Sequence, residues 1–191
     1  MQLPDLPDVG DDLADDLVLA LRLADTADAI TLDRFRAADL RVARKPDRTP
    51  VTDADTAVED ALRAVLGHER PDDALLGEER GGELSANGRG WVLDPIDGTK
   101  NFSRGVPVWA TLIALTQHGR AAVGVVSAPA LGRRWWGAGG RGAWASDAGG
   151  PPRRLAVSGV ADLADAYLST TDFRTFTGEG ELDRWLTLAD A

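Results

Sequence analysis

Trp91-Val92-Leu93-Asp94-Pro95-Ile96-Asp97-Gly98-Thr99-Lys100-Asn101-Phe102 is the stretch on which the reading of this chain turns. Trp91, Val92 and Leu93 form a short apolar, β-prone run, which predicts a buried strand that ends at the proline and glycine beyond it. Asp94 and Asp97 then stand three residues apart across a turn in which Pro95 fixes φ. Both can aim oxygens at one point past the sheet edge. That point suits a hard divalent cation, because Mg²⁺ prefers oxygen ligands and takes one or two carboxylates together with substrate phosphate. Gly98 lets backbone approach a ligand closely, and a helical turn opened by Thr99-Lys100-Asn101 would face an anion with its free N–H groups. The plainer alternative is a β-turn, since Pro-x-Asp-Gly is turn chemistry anywhere and its aspartate often only caps the next turn.

The rest of the chain bears on that choice. Its 191 residues allow one domain or two, and 43% hydrophobic and 27% charged residues are those of an ordinary globular protein. A net charge of −10 argues against a nucleic-acid partner, which needs a basic face. The absence of cysteine removes disulfides, thiol nucleophiles and zinc–thiolate sites, so a metal must sit among oxygens or the two histidines. No signal peptide or membrane-length apolar run is visible, and the expectation is a soluble cytoplasmic protein with no membrane partner.

Along the chain, residues 1–12 read as a flexible lead-in. Leu13, Leu17, Ala20, Leu21, Ala24 and Ala27 recur at helical spacing and predict a long amphipathic helix. Leu40–Ala43 reads as a strand. Thr52 or Asp53 can cap a second helix whose apolar face is Ala57, Val58, Ala61, Leu62, Val65 and Leu66. Ala74-Leu75-Leu76 is a short strand ending in Gly77-Glu78-Glu79, so a second strand end carries carboxylates. Residues 81–88 read as a polar loop. Val108–Thr116 and Ala121–Ala128 flank Gln117-His118-Gly119-Arg120 as a hairpin. Residues 133–136 and 142–145 continue it, 153–158 add another strand, 160–164 a short helix, Tyr167–Thr171 a strand, and Glu181–Ala189 a last helix. Helices followed by an antiparallel run indicate an α+β fold with helices layered on sheets.

Asp94-Pro95-Ile96-Asp97-Gly98-Thr99 resembles the signature of the inositol monophosphatase family of metal-dependent phosphatases, and Lys45–Asp55 and Gly77-Glu78-Glu79 resemble the same family in the same order. The resemblance implies the layered helix/sheet sugar-phosphatase fold. Its N-terminal metal- and phosphate-binding half would span 13–150, and its second half would begin in 151–191 and be incomplete. It implies that Asp55 hydrogen-bonds Thr99 and that Glu78, rather than Glu79, is the ligand. It implies two or more Mg²⁺ ions, the first held by Glu78, Asp94 and the carbonyl of Ile96, the second by Asp94 and Asp97. Glu78 and Thr99 would position the attacking water, and Gly98 and Thr99 the phosphate, with Glu78, Ile96 and Asp97 also lining the substrate site. Two ions roughly 4 Å apart can activate water, neutralise phosphate charge and stabilise the leaving alkoxide.

Lys100–Leu112 and Ser127–Trp136 resemble the actinobacterial histidinol-phosphatase branch, which implies histidinol phosphate as the small-molecule phosphate ester. Inositol 1-phosphate is the alternative substrate, and a non-catalytic fragment the alternative role. The resemblance also implies a homodimer. The family's C-terminal Trp-Asp motif has no counterpart: Trp185 precedes Leu186, and Asp172 is no substitute by motif. The expectation is therefore that these 191 residues alone form a weak or inactive enzyme with uncovered apolar faces.

Overall fold

The computed structural model describes residues 11–167, 169 and 181–189. The expected lead-in lies outside them except for its last two residues, and so do Asp172 and most of the strand expected at Tyr167–Thr171. Two compact units are present, Met1–Leu155 and Ala156–Ala191. In the first, helix α1 (Asp11–Arg34) leads to a small hairpin of β1 (Val42–Arg44) and β2 (Pro50–Thr52), then to helix α2 (Asp53–Glu69). Strands β3 (Ala74–Gly77), β4 (Gly81–Glu83) and β5 (Arg89–Asp97) follow, then a single helical turn, α3 (Thr99–Phe102). Next come β6 (Ala110–Gln117), β7 (Arg120–Ala128), β8 (Arg133–Ala138), β9 (Gly142–Asp147) and β10 (Arg153–Leu155).

Eight strands form one sheet in the order β10-β9-β8-β7-β6-β5-β3-β4, in which β3 and β5 run parallel and every other pair antiparallel. The alternation of β5 to β8 sends Trp91, Leu93, Ile113, Leu115, Val123, Val125 and Trp136 to one face. There they pack with Leu17, Leu21 and Ala24 of α1 and Val58, Leu62 and Leu66 of α2. Helices layered on one face of a mixed sheet make this the α+β fold expected. The tryptophans Trp91, Trp109 and Trp136 are core residues. The second unit contains a 3-10 turn at Leu163–Asp165, where a short helix over 160–164 was expected, and helix α4 (Glu181–Ala189).

Two sequence expectations need correction. The strand that begins at Arg89 does not stop before Pro95 but continues to Asp97. It does so through a bulge: Asp94 pairs with Leu112 and Asp97 with Ala110, so three steps on β5 face two on β6. Proline has no N–H to give the ladder, and an inserted residue lets the pairing skip it. The Thr111 hydroxyl secures the bulge by donating to the Pro95 carbonyl at 2.8 Å. The second correction is at 81–88, expected to be loop throughout. Gly81–Glu83 instead pairs with β3 as the edge strand, held by backbone bonds that its composition does not advertise. The boundary expected near residue 150 falls in the connection between β9 and β10, and the sheet continues through Leu155.

Candidate active site

Three elements deliver the acidic groups to one place. The start of α2 brings Asp55, the loop after β3 brings Glu78, and the bulge of β5 brings Asp94 and Asp97. Thr52, rather than Asp53, caps α2. Its hydroxyl accepts from the Asp55 N–H at 3.4 Å, while Asp55 Oδ2 accepts the Thr52 N–H at 2.8 Å and the Thr52 hydroxyl at 2.5 Å. Asp53 is engaged instead by Arg34 at 2.9 Å. The capping box occupies only one Asp55 oxygen. The other, Oδ1, lies 3.1 Å from the Thr99 hydroxyl, which also reaches the Ile96 carbonyl at 3.0 Å. One side chain thus caps a helix and fixes the threonine of the central motif.

Gly98 turns the chain between β5 and α3. It has φ 94, a left-handed conformation, and a Cβ there would lie 3.1 Å from the Val108 carbonyl. Its carbonyl accepts the N–H groups of Asn101 and Phe102. Beneath the turn, Phe35, Phe102 and Trp109 form an aromatic triad with centroids 5.0 to 5.5 Å apart, packed with buried Ile96 and Ala54. The motif therefore rests on a rigid apolar base.

Asp94 is the electrostatic centre. Burial, then the charge of Glu78 and a hydrogen bond with it, then the charges of Asp97 and Asp55, push its carboxyl up to about 8. Its Oδ1 is buried without a hydrogen-bond partner. Burial also raises Asp55 above the ordinary carboxylate range, despite the bonds from Thr52 and Thr99. Lys45 lies across the site, with Nζ 2.6 Å from Glu78 and 2.8 Å from Glu79. Burial opposes its charge, but the two glutamates hold it above the usual lysine value.

Among the described residues no three Asp, Glu or His side chains are already gathered as a metal shell. The donor chemistry nevertheless fits a hard cation. The candidate donors are carboxylate and carbonyl oxygens, one of them is orphaned, and the repulsion that Glu78, Asp97 and Asp55 place on Asp94 is what a divalent ion would relieve.

Sequence reasoning brought Glu78, Asp94, Asp97, Asp55 and Thr99 forward, and the structure draws them together. It gave no part to Lys45, whose partners are more than 30 residues away. It also overlooked Glu59, a fully buried carboxylate of α2. The available signal was an acidic residue next to Val58 within the apolar stripe of that helix.

Crowded carboxylates at the end of a central strand, carried on a layered α+β scaffold, point to the class of metal-dependent phosphatases. The chain belongs to the inositol monophosphatase family, whose model matches residues 12–179. It is 58% identical over 176 residues to a histidinol-phosphatase of Mycobacterium tuberculosis, covering 92% of this chain and 68% of that protein. A histidinol-phosphatase of Streptomyces coelicolor is 50% identical over 182 residues, covering 93% and 68%. Among solved structures, the extragenic suppressor protein suhB of Bartonella henselae superposes with a TM-score of 0.69 at 28% identity, over 78% of this chain and 57% of that one. The chain thus spans about two thirds of these curated relatives and little more than half of the solved one. The family is metal-dependent. No helix among the described residues is long and apolar enough to cross a membrane.

Proposed function

We propose that the chain carries the metal and phosphate site of a Mg²⁺-dependent phosphomonoesterase that converts histidinol phosphate to histidinol. The observation that carries this reading is Asp94, a half-buried carboxyl with an orphaned oxygen, which Glu78, Asp97 and Asp55 crowd with negative charge. Such a group keeps its own charge only when a cation joins it. Glu78, Asp94 and the Ile96 carbonyl would hold one ion, and Asp94 and Asp97 a second. Bound there, the ions would supply an activated water, charge neutralisation on the phosphate and stabilisation of the leaving oxygen.

The chain's own groups orient what those ions act upon. The single Thr99 hydroxyl proton is shared between Asp55 and the Ile96 carbonyl, which leaves the oxygen free to accept from, and with Glu78 to orient, a water. The left-handed Gly98 brings backbone close to where phosphate would sit, and the N–H groups of Gly98 and Thr99 are the proposed donors to it. The choice of histidinol phosphate is supported by the two relatives at 58% and 50% identity that bear that activity in their names. Steady-state kcat/KM for histidinol phosphate and inositol 1-phosphate, measured side by side with Mg²⁺ on a version spanning the full length of its relatives, tests the choice. A preference for histidinol phosphate is expected. A reversed preference would move the protein to the inositol substrate and leave the metal site intact.

A further inference from the structure

Glu59 lies on α2, outside the motif, and is 0% exposed. A buried carboxylate is retained only when its oxygens are satisfied, and these are satisfied by the acidic loop. Oε2 accepts the N–H of Glu79 at 2.7 Å, and Oε1 accepts the N–H of Arg80 at 3.0 Å. Arg63, one turn along the helix, donates its Nε to Glu59 Oε1 at 2.8 Å and its other end to the Gly81 carbonyl. On the opposite side, the Glu78 N–H donates to the Leu93 carbonyl of β5 at 3.1 Å. Glu78 is therefore held from both directions, by β5 through its own amide and by Glu59 through the next two.

The glycine before it belongs to the same arrangement. A Cβ on Gly77 would lie 2.0 Å from Glu59 Oε1 and 2.3 Å from Glu59 Cδ, so the carboxylate fills the space any side chain at 77 would need. Gly77 is demanded by Glu59, and the pair fixes where the loop leaves β3. Resting on the reading of Glu78 as a metal ligand, we propose that Glu59 is a positioning residue. Clamped through the amides of Glu79 and Arg80 and braced by Arg63, it sets the loop so that the Glu78 carboxylate meets Asp94 before any ion arrives. Its effect is on the geometry of the ligand set and not on the reacting atoms.

The test is calorimetric titration of the full chain with MgCl₂, without substrate, for wild type and Glu59→Gln, alongside amide hydrogen exchange. The Gln side chain keeps the volume but replaces one acceptor with an NH₂ that faces an N–H donor. Mg²⁺ affinity is expected to fall about tenfold, the scale typical of lost support behind a metal ligand, and the Glu79 and Arg80 amides to exchange at least tenfold faster. Asp16→Asn is the comparison, because Asp16 is another buried carboxylate, bonded to Arg70 and Arg89 and remote from the loop in sequence. It should lower thermal stability and leave Mg²⁺ affinity unchanged. Where Glu59→Gln does not fold, Arg63→Met, which removes only the brace, carries the test with a smaller loss in the same direction. An unchanged Mg²⁺ constant in the folded variant overturns the positioning role alone. A wild-type chain that binds no Mg²⁺ overturns the reading of the site and this proposal with it.

Discussion

Replacing Asp94 by Asn should have opposite effects on the metal-free and metal-bound protein. The wild-type carboxyl titrates near 3.8 in an unfolded chain and at about 8 in the fold, raised first by burial and then by Glu78. Below about pH 4 the proton is bound in both states, and Asp94 costs the fold nothing. Between 4 and 8 the unfolded chain releases the proton and the fold retains it, so stability falls as pH rises. Above 8 the penalty is constant. At 1.36 kcal/mol per pH unit the gap sets a ceiling of about 6 kcal/mol. Asp94 is only half-buried, and solvent screening reduces the realistic penalty to about 2 kcal/mol. Asparagine has no such term. In excess chelator, the unfolding free energies of the two proteins from urea titration should therefore coincide near pH 4 and separate by about 2 kcal/mol in favour of Asp94→Asn at pH 8. Saturating Mg²⁺ should reverse that order, because only the aspartate gains a charged ligand bond. A variant less stable than wild type at pH 8 in chelator, or a difference independent of pH, would refute the reasoning.

Other substitutions probe the supports of the same site. Thr99→Val keeps the shape but removes the hydroxyl between Asp55 and the Ile96 carbonyl. We expect kcat to drop about 100-fold with a small change in KM, which steady-state kinetics would show. Gly98→Ala forces a Cβ into a left-handed residue 3.1 Å from the Val108 carbonyl, and should cost at least about 1–2 kcal/mol in thermal unfolding. Phe102→Ala removes the centre of the aromatic triad and should destabilise by about 3–5 kcal/mol, with a calorimetric melt as the check.

The parts of the fold that were legible in the sequence are those that repeat a period. Helix α1 and α2 advertise themselves by apolar spacing, and β6 and β7 by apolar runs on either side of His118-Gly119. What was not legible depends on partners distant in sequence. The bulge of β5 requires knowing that Thr111 will hold the Pro95 carbonyl, since proline in a strand otherwise reads as its end. Strand β4 is Gly-Gly-Glu, with no side-chain signal, and exists because β3 offers backbone partners. In the site, the Asp-x-x-Asp spacing and the acidic loop could be read directly. The resemblance supplied the pairing of Asp55 with Thr99, but not the double duty by which the same aspartate closes the cap of α2. Glu59 was overlooked because an acidic residue in an apolar helical stripe gains its meaning only from the amides it meets, twenty residues on.

The most direct test of the account is phosphate release from histidinol phosphate, by a version of this protein spanning the full length of its relatives, as Mg²⁺ is removed and returned. Every proposed catalytic group here works on or through ions held by Glu78, Asp94 and Asp97. Chelation should therefore abolish turnover and added Mg²⁺ restore it. Undiminished phosphate release in excess chelator would contradict the account.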